Sequence, residues 1–325
     1  MTVAVVVCTY KRAAQLEQLL GTLTRMERGG LGAVTLQLLI VDNCPDGQVR
    51  EVVERVGGML PMPVALVEEA HPGRTFARNR AAEEAIARGW DFVAFIDDDD
   101  RPEPDWFEHL VRVQRETGAD IVCGAMAPVL ADGVSSWMRA SPLFDPPVLN
   151  GGTKYGIPRG IGTFNAMISV DVFRRLQAAG EIFSEEFAHS RCEDTEFFAR
   201  AKGLGAGFAL APDSVVHRDF GDDRTAFLGL LSYSWQMGKY NMILLRKHAP
   251  AAEVRARRRK ALRKVLCEVP KMVLRARSRG DVVRYLVGVA KEAGMLAGAV
   301  ASRPDDAGKR PPGGLPGAGD AATRR

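Results

Sequence analysis

A chain of 325 residues with 46% hydrophobic content can bury a substantial core, in one large domain with an appendage or in two domains. Five scattered cysteines without a CxxC pair argue against a disulfide framework or a zinc site, and for a reducing compartment. The net charge of +4 hides an asymmetry: residues 246–279 carry thirteen Lys and Arg against Glu253 and Glu268, which leaves the rest of the chain acidic.

The first apolar run, residues 2–9, reads as a buried strand with Tyr10-Lys11-Arg12 at its carboxyl end. It lacks the basic leader and cleavage site of a signal peptide. Leu16, Leu19, Leu20 and Leu23 then recur on one face of a helix that Gly29-Gly30 breaks. A second strand over 34–41 ends in the turn composition Asp42-Asn43-Cys44-Pro45-Asp46-Gly47. A helix over 48–56 and a strand over 64–67 follow. The loop His71-Pro72-Gly73-Arg74 leads into a helix carrying Arg78, Asn79 and Arg80. The fourth strand, Phe92 to Ile96, runs directly into Asp97-Asp98-Asp99-Asp100 and is ended by Arg101-Pro102.

This strand–helix repetition predicts an α/β domain with a largely parallel sheet. Ligands of such sheets sit at the carboxyl ends of the strands, which is where the four aspartates arrive. Adjacent carboxylates repel, and a hard divalent cation such as Mg²⁺ or Mn²⁺ relieves the repulsion while bridging to phosphates. Capping a following helix is the plainer role, but one Asp suffices for that. No Gly-rich loop follows the first strand, so the dinucleotide and Walker fingerprints are absent.

Further along, a helix over 105–116 and a strand over 121–129 lead to a Gly-, Pro- and Ser-rich stretch, 131–160, with Trp137 and Phe144. Loops of this length usually bind or move. A strand over 163–170, an acidic loop over 183–192 and a helix opened by Glu193-Asp194 come next. Two short strands over 208–211 and 214–216 then deliver His217. Beyond them, 227–245 and 282–301 are apolar but interrupted, so they read as amphipathic helices on a surface, with packing on the preceding domain the alternative. Neither is an uninterrupted span, and no membrane-crossing helix is expected. Residues 303–325 have the composition of a disordered tail.

Metal held by carboxylate and imidazole can clamp a diphosphate, and a separate carboxylate can act as general base on a hydroxyl. The aspartate run, Glu193-Asp194 and His217 at one sheet edge would therefore suit group transfer from a nucleotide diphosphate to an alcohol. Each piece alone has a plainer reading. Asp194 could favour the positive end of its own helix, His217 could be a core histidine, Asp42 and Asn43 turn residues, and Arg74 and Arg78 a solvated face.

The segments Val6-Val7-Cys8-Thr9-Tyr10-Lys11-Arg12, Ile40-Val41-Asp42-Asn43, Ala77-Arg78-Asn79, Phe95-Ile96-Asp97-Asp98-Asp99-Asp100 and Glu193-Asp194-Thr195-Glu196-Phe197 together resemble family 2 glycosyltransferases, over roughly residues 1–220. Gly162-Thr163-Phe164-Asn165 adds a likeness to the bacterial exopolysaccharide, succinoglycan-type branch. The resemblance implies a GT-A fold with a Rossmann-like, mostly parallel central sheet flanked by helices, and inverting transfer from a nucleotide-sugar. It implies that Thr9, Tyr10, Arg12 and Asp42 line the nucleotide pocket, with Arg74, Arg78 and Asn79 beside base and diphosphate. Asp98 would face the ribose. Asp97 and Asp99 would hold Mn²⁺ or Mg²⁺ with His217, within a register ambiguous by one residue. Asp194 would be the base and Glu193 its fallback. The Gln-x-x-Arg-Trp motif of processive members is missing, which implies one sugar per event. Ser190-Arg191-Cys192 replaces the family's glycine-rich lead into Glu-Asp.

The expected organisation is a catalytic domain over 1–222, a basic helical extension over 223–302 that associates with membrane, and a tail over 303–325. The expected acceptor is a saccharide or lipid-linked saccharide of surface polysaccharide biosynthesis, with a cytoplasmic location at the inner face of the plasma membrane. Residues 246–279 would attach to anionic lipid, helped by Trp235 and Tyr240, and no nucleic-acid recognition motif accompanies the charge. Rival readings are a sugar-phosphate nucleotidyltransferase, a glycoside hydrolase, and a non-catalytic nucleotide-sugar-binding membrane protein.

Overall fold

The computed structural model describes residues 1–130, 134, 157–158, 160–188, 190, 192–220 and 227–301. Expectations for Trp137, Phe144, Arg191 and the 303–325 tail lie outside the described residues.

The strands are β1 (Thr2–Thr9), β2 (Thr35–Asp42), β3 (Val64–Glu68), β4 (Phe92–Asp97), β5 (Asp100–Pro102), β6 (Ile121–Leu130), β7 (Asn165–Ser169) and β8 (Phe208–Phe220). They form one sheet in the order β3-β2-β1-β4-β7-β6-β8-β5. The first four neighbours are parallel, β7 runs antiparallel between β4 and β6, and β8 is parallel to β6. Val3, Val5 and Val7 of β1 point to one core layer, and Ala4 and Val6 to the other. Side chains alternate along a strand, so a run apolar at every position needs cover on both sheet faces. Helices α1 (Ala13–Leu23), α2 (Gln48–Val56) and α4 (Trp106–Thr117) cover the first face. Helices α3 (Arg74–Ala87), α5 (Val170–Ala178) and α6 (Glu193–Gly203) cover the second.

Three features differ from the sequence expectation. Helix α5 was not anticipated; its Ser169 side chain caps the Asp171 amide at 3.2 Å, and Val170, Val172, Phe173 and Leu176 are its buried side. The two short strands before His217 are one strand, β8. It crosses Pro212-Asp213 by a register irregularity opposite Gly124 and Ala125, so the proline does not end it. Asn165 fills that notch, donating to the Ala125 and Ser214 carbonyls at 3.1 and 2.9 Å. Finally, the aspartate run passes into a short strand that the sequence expectation lacked. Its last residue begins β5, which pairs antiparallel with β8 and sets Asp100 beside Arg218 and Arg101 beside His217.

The carboxyl-terminal helices are α7 (Phe227–His248), α8 (Ala251–Arg275) and α9 (Arg279–Gly298). Helix α7 packs on the preceding domain rather than only on an outer surface: Tyr240, Ile243 and Leu244 join Phe187 and Cys192 in one buried cluster. Tyr240 is therefore core, and the expectation that it inserts at a lipid headgroup is corrected by its burial. Helices α7 and α9 meet backbone to backbone. A Cβ on Gly238 would stand 1.9 Å from the Lys291 carbonyl oxygen, and one on Gly294 1.9 Å from that of Trp235. Several basic residues of 246–279 are engaged inside the protein. Lys247 pairs with Glu186 and Glu196, and Arg257 and Lys264 with the buried Glu292. Arg246 donates to the Gly298 and Ala301 carbonyls.

Glu196 anchors this extension to α6. Its carboxylate is fully buried and faces Arg200 at 2.9 Å, Lys247 at 3.2 Å and His248 at 3.4 Å. Burial opposes its charge, but the hydrogen bond from His248 and the charges of Arg200 and Lys247 win and draw its pKa down to about 2. A depressed carboxyl stabilises the fold fully above its ordinary 4.5, and that contribution disappears as pH falls through about 2. Glu196→Gln is expected to lower stability by roughly 3 kcal/mol near neutrality. Urea unfolding of both proteins should show the gap closing on acidification. A gap of constant size down to pH 3 would assign the stabilisation to packing instead.

Candidate active site

The parallel strands place Thr9, Asp42 and Asp97 along one edge of the sheet, in the registers Thr9 to Asp42 and Cys8 to Asp97. Lys11 follows with φ of 54°, the only non-glycine in the left-handed region among the described residues. That turn brings Thr9 and Arg12 back onto the same carboxylate. Thr9 Oγ1 donates to Asp98 at 2.8 Å and Arg12 Nη1 at 2.9 Å. Asp98 is thus a buried anchor of the 9–12 turn, while Arg12 also reaches Asp99 at 3.1 Å. Tyr10 lies exposed at the same strand end.

Asp42 and Asn43 are both buried. Asp42 accepts from the Cys44 amide at 3.0 Å, and burial raises its pKa. Asn43 organises the next loop, donating to the Glu69 and His71 carbonyls at 2.9 and 2.7 Å and accepting from the Gly73 amide at 2.7 Å. Gly73 has φ of 143°, so a side chain there would be strained. This clamp fixes the start of α3. Asn79 bonds both ways to the Phe183 backbone, at 3.0 and 2.8 Å, which positions the acidic loop before α6.

Arg78 is the joint of the site. Its guanidinium is buried, 2.9 Å from Glu193 and 3.8 Å from Asp97. Arg74 meets the same Glu193 oxygen at 3.2 Å. The start of α6 is thereby brought to the end of β4. Glu193 Oε2 is buried without a hydrogen-bond partner among the described residues. Asp194 accepts from the Thr195 amide at 2.7 Å, and burial together with Glu193 lifts its pKa to about 6. A Cβ on Gly162 would stand 3.1 Å from Asp194 Oδ2 and 2.6 Å from the Phe164 ring, so glycine keeps that approach open. Two adjacent acids differ in their surroundings: Glu193 pairs with two arginines, while burial beside Glu193 raises the Asp194 pKa.

On β8 the structure brings in a residue the sequence reading passed over. Adjacent side chains of a strand face opposite ways. His217 pairs with Glu103, and Arg218 turns to the aspartates. Its Nη2 lies 2.7 Å from Asp97 and 2.6 Å from Asp100, and its Nε 4.0 Å from Asp99. Arg218 holds the Asp97 pKa down, while burial pushes Asp100 up to about 7. His217 is not brought to Asp97 and Asp99, in contrast to the expected ligand set. Asp97 and Asp99 are the partly exposed members of the run, and two carboxylates with phosphate oxygens and water make an ordinary Mg²⁺ or Mn²⁺ set. The two residues fit such an ion on those terms. Among the described residues no three His, Cys, Asp or Glu side chains converge as a site made by protein alone.

The model of glycosyl transferase family 2 matches residues 4–177, more than half of the chain. The chain belongs to that family. It is a glycosyltransferase, and the residues of this family 2 chain described above sit within and just beyond the matched segment. The succinoglycan biosynthesis protein ExoM of Rhizobium meliloti is 28% identical over 245 residues, covering 75% of this chain and 75% of that protein. The mannosyltransferase PcManGT of Pyrobaculum calidifontis, solved with GDP-Man and Mn²⁺, aligns over 92% of this chain and 86% of its own at TM-score 0.55 and 17% identity. TarS 1–349 of S. aureus, solved with UDP-GlcNAc, aligns over 91% and 90% at TM-score 0.54 and 16% identity. At these identities the structural likeness establishes the shared fold, an α/β GT-A sheet with a helical region after it.

A carboxyl whose folded pKa is raised favours the folded state while protonated, and the advantage is lost as pH rises through about 6. The Asp194→Asn protein is therefore expected to be about 1–2 kcal/mol more stable than wild type at pH 8, after discounting for partial solvent access, and equal to it at pH 4. Calorimetry at the two pH values reads this directly. A less stable Asn variant at pH 8 would mean that Asp194 is held mainly by bonds to its ionised form.

Proposed function

We propose that this chain is an inverting, metal-dependent glycosyltransferase that moves one sugar per event from a UDP-sugar to a saccharide or lipid-linked acceptor in surface polysaccharide biosynthesis. The observation that supports it best is that Arg78 ties Glu193, the neighbour of Asp194 in the chain, to Asp97 at the end of β4. The catalytic unit is 1–222.

Asp194 takes the proton of the acceptor hydroxyl as its oxygen bonds to the anomeric carbon. The carbon–oxygen bond to the nucleotide diphosphate breaks on the opposite face, and the electron pair leaves with the diphosphate. One displacement of this kind inverts the anomeric centre. In this reading Arg12 and Arg74 hold the diphosphate with Arg78 behind them, and Thr9, Tyr10 and Asp42 line the nucleoside. The buried Glu193 Oε2 is an acceptor suited to a substrate hydroxyl. A divalent cation at Asp97 and Asp99 would supply Lewis-acid stabilisation of the departing diphosphate. The cognate names among the similar proteins support the reading, with succinoglycan biosynthesis favouring exopolysaccharide and the two complexes favouring nucleotide-sugars.

The extension suits a lipid-borne acceptor, at the inner face of the plasma membrane. No described helix is long and apolar enough to cross a membrane. On the outer side of α8, however, Arg255, Arg258, Arg259 and Arg263 are exposed beside Leu262 at 50%, Leu266 at 65% and Leu274 at 81% exposure. Basic residues near an anionic surface each contribute roughly 1 kcal/mol, and leucines between them can enter the headgroup layer. These leucines take the role expected of Tyr240.

Donor hydrolysis across UDP-, GDP- and TDP-sugars, with and without Mn²⁺, should show metal-stimulated turnover of a UDP-sugar. Asp194→Asn should reduce turnover about 10²–10⁴-fold with donor affinity unchanged. Wild-type turnover should rise with pH through about 6, as Asp194 ionises. Full turnover in Asp194→Asn would remove Asp194 from the base role.

Replacing Arg255, Arg258, Arg259 and Arg263 by Gln should release the protein from anionic vesicles and leave donor hydrolysis intact. Co-sedimentation at low and high salt measures it. Undiminished sedimentation of the variant would dismiss α8 as the attachment surface.

A further inference from the structure

Arg218 is the residue of β8 that faces the aspartates, and it is firmly anchored there. Its Nε and Nη2 form a fork on Asp100, at 2.7 and 2.6 Å, and Nη2 is shared with Asp97 at 2.7 Å. Strand pairing sets Asp100 directly opposite it, and the guanidinium carbon stands 4.8 Å from the Phe164 ring. Rows of pairing and a fully buried partner leave this side chain little freedom to withdraw.

Both oxygens of Asp97 and both of Asp99 then lie within 4.0 Å of a guanidinium. Asp97 faces Arg78 at 3.8 Å and Arg218 at 2.7 Å, and Asp99 faces Arg218 at 4.0 Å and Arg12 at 3.1 Å. A bare dication entering between these carboxylates meets three fixed positive charges and, among the described residues, no third protein ligand. A diphosphate changes both terms: it brings negative charge and it brings oxygen ligands.

We propose that Arg218 is a positioning residue that makes divalent-cation binding at Asp97 and Asp99 conditional on a nucleoside diphosphate, by holding both carboxylates already compensated. The proposal rests on the glycosyltransferase reading and concerns the strand neighbour of His217, the residue expected as a metal ligand. The two neighbours on one strand thus have different functions. Arg218 sets the charge of the cluster, and His217 ties β8 to Glu103.

The test is Mn²⁺ titration of the full chain, following free Mn²⁺ by electron paramagnetic resonance, with and without UDP. Wild type should bind Mn²⁺ alone at least about tenfold more weakly than with UDP. In Arg218→Gln, Mn²⁺ alone should bind about tenfold more tightly than in wild type, so that UDP adds less. Arg218→Lys retains a positive charge and should behave as wild type in the Mn²⁺-only titration. Equal Mn²⁺ affinity of wild type with and without UDP overturns the proposal, and this arm stands whether or not the Gln variant folds. An unchanged Mn²⁺-only affinity in a folded Gln variant also overturns it, while UDP-stimulated binding leaves the donor reading standing. No UDP binding at any Mn²⁺ concentration would defeat the donor reading and the proposal together.

Discussion

A buried guanidinium between two acidic elements is the constraint that shapes this molecule. Arg78 projects from α3 between Glu193 at the start of α6 and Asp97 at the end of β4. Its charge is tolerable inside the protein because carboxylates face it, and it helps to offset theirs beside Arg74 and Arg218. Helix α3 must therefore start at the right place, and the Asn43–Gly73 clamp provides that. The loop before α6 must stay close, and Asn79 provides that through the Phe183 backbone. Much of the polar bonding around the site serves to aim groups rather than to meet a ligand.

The first half of the fold was legible because its signals are local. A strand buried on both faces reads as an unbroken apolar run, and a helix on the sheet reads as leucines at helical spacing, as in Leu16 to Leu23. The Asp97–Asp100 run and Glu193-Asp194 stood out because charge at the end of an apolar strand or at a helix start is visible in one dimension. The convergence of Glu193 with Asp97 through Arg78 was expressed only as an expectation about one sheet edge, since a contact across 115 residues leaves no local trace.

The second half was less legible for physical reasons. Pro212 and Asp213 look like a strand ending, yet β8 continues because the irregularity opposite Gly124 and Ala125 absorbs them. With β8 taken as two pieces, His217 seemed to sit past a strand end, free to face either way. On a continuous strand the alternation leaves room at the aspartates for one of two neighbours, and pairing with Asp100 selects Arg218. The basic segment was likewise read as a uniform block. Its helices turn part of that charge inward, onto Glu196 and Glu292, and leave an outer face in which arginine alternates with leucine.

Helix α6 carries Asp194 on one side of its first turn and Glu196 on the other, and the second of these is gripped by residues of α7. The apparent seam between the sheet domain and the helices after it is therefore not a place where the chain can be recombined freely. A hybrid that joined this sheet to another protein's helical segment would have to bring cations that reach Glu196 and apolar groups that cover Phe187. Without them the turn bearing Asp194 would lose its outer support. A change in those helices that removes these cations or this apolar cover therefore reaches the first turn of α6, although the two segments are far apart in the sequence.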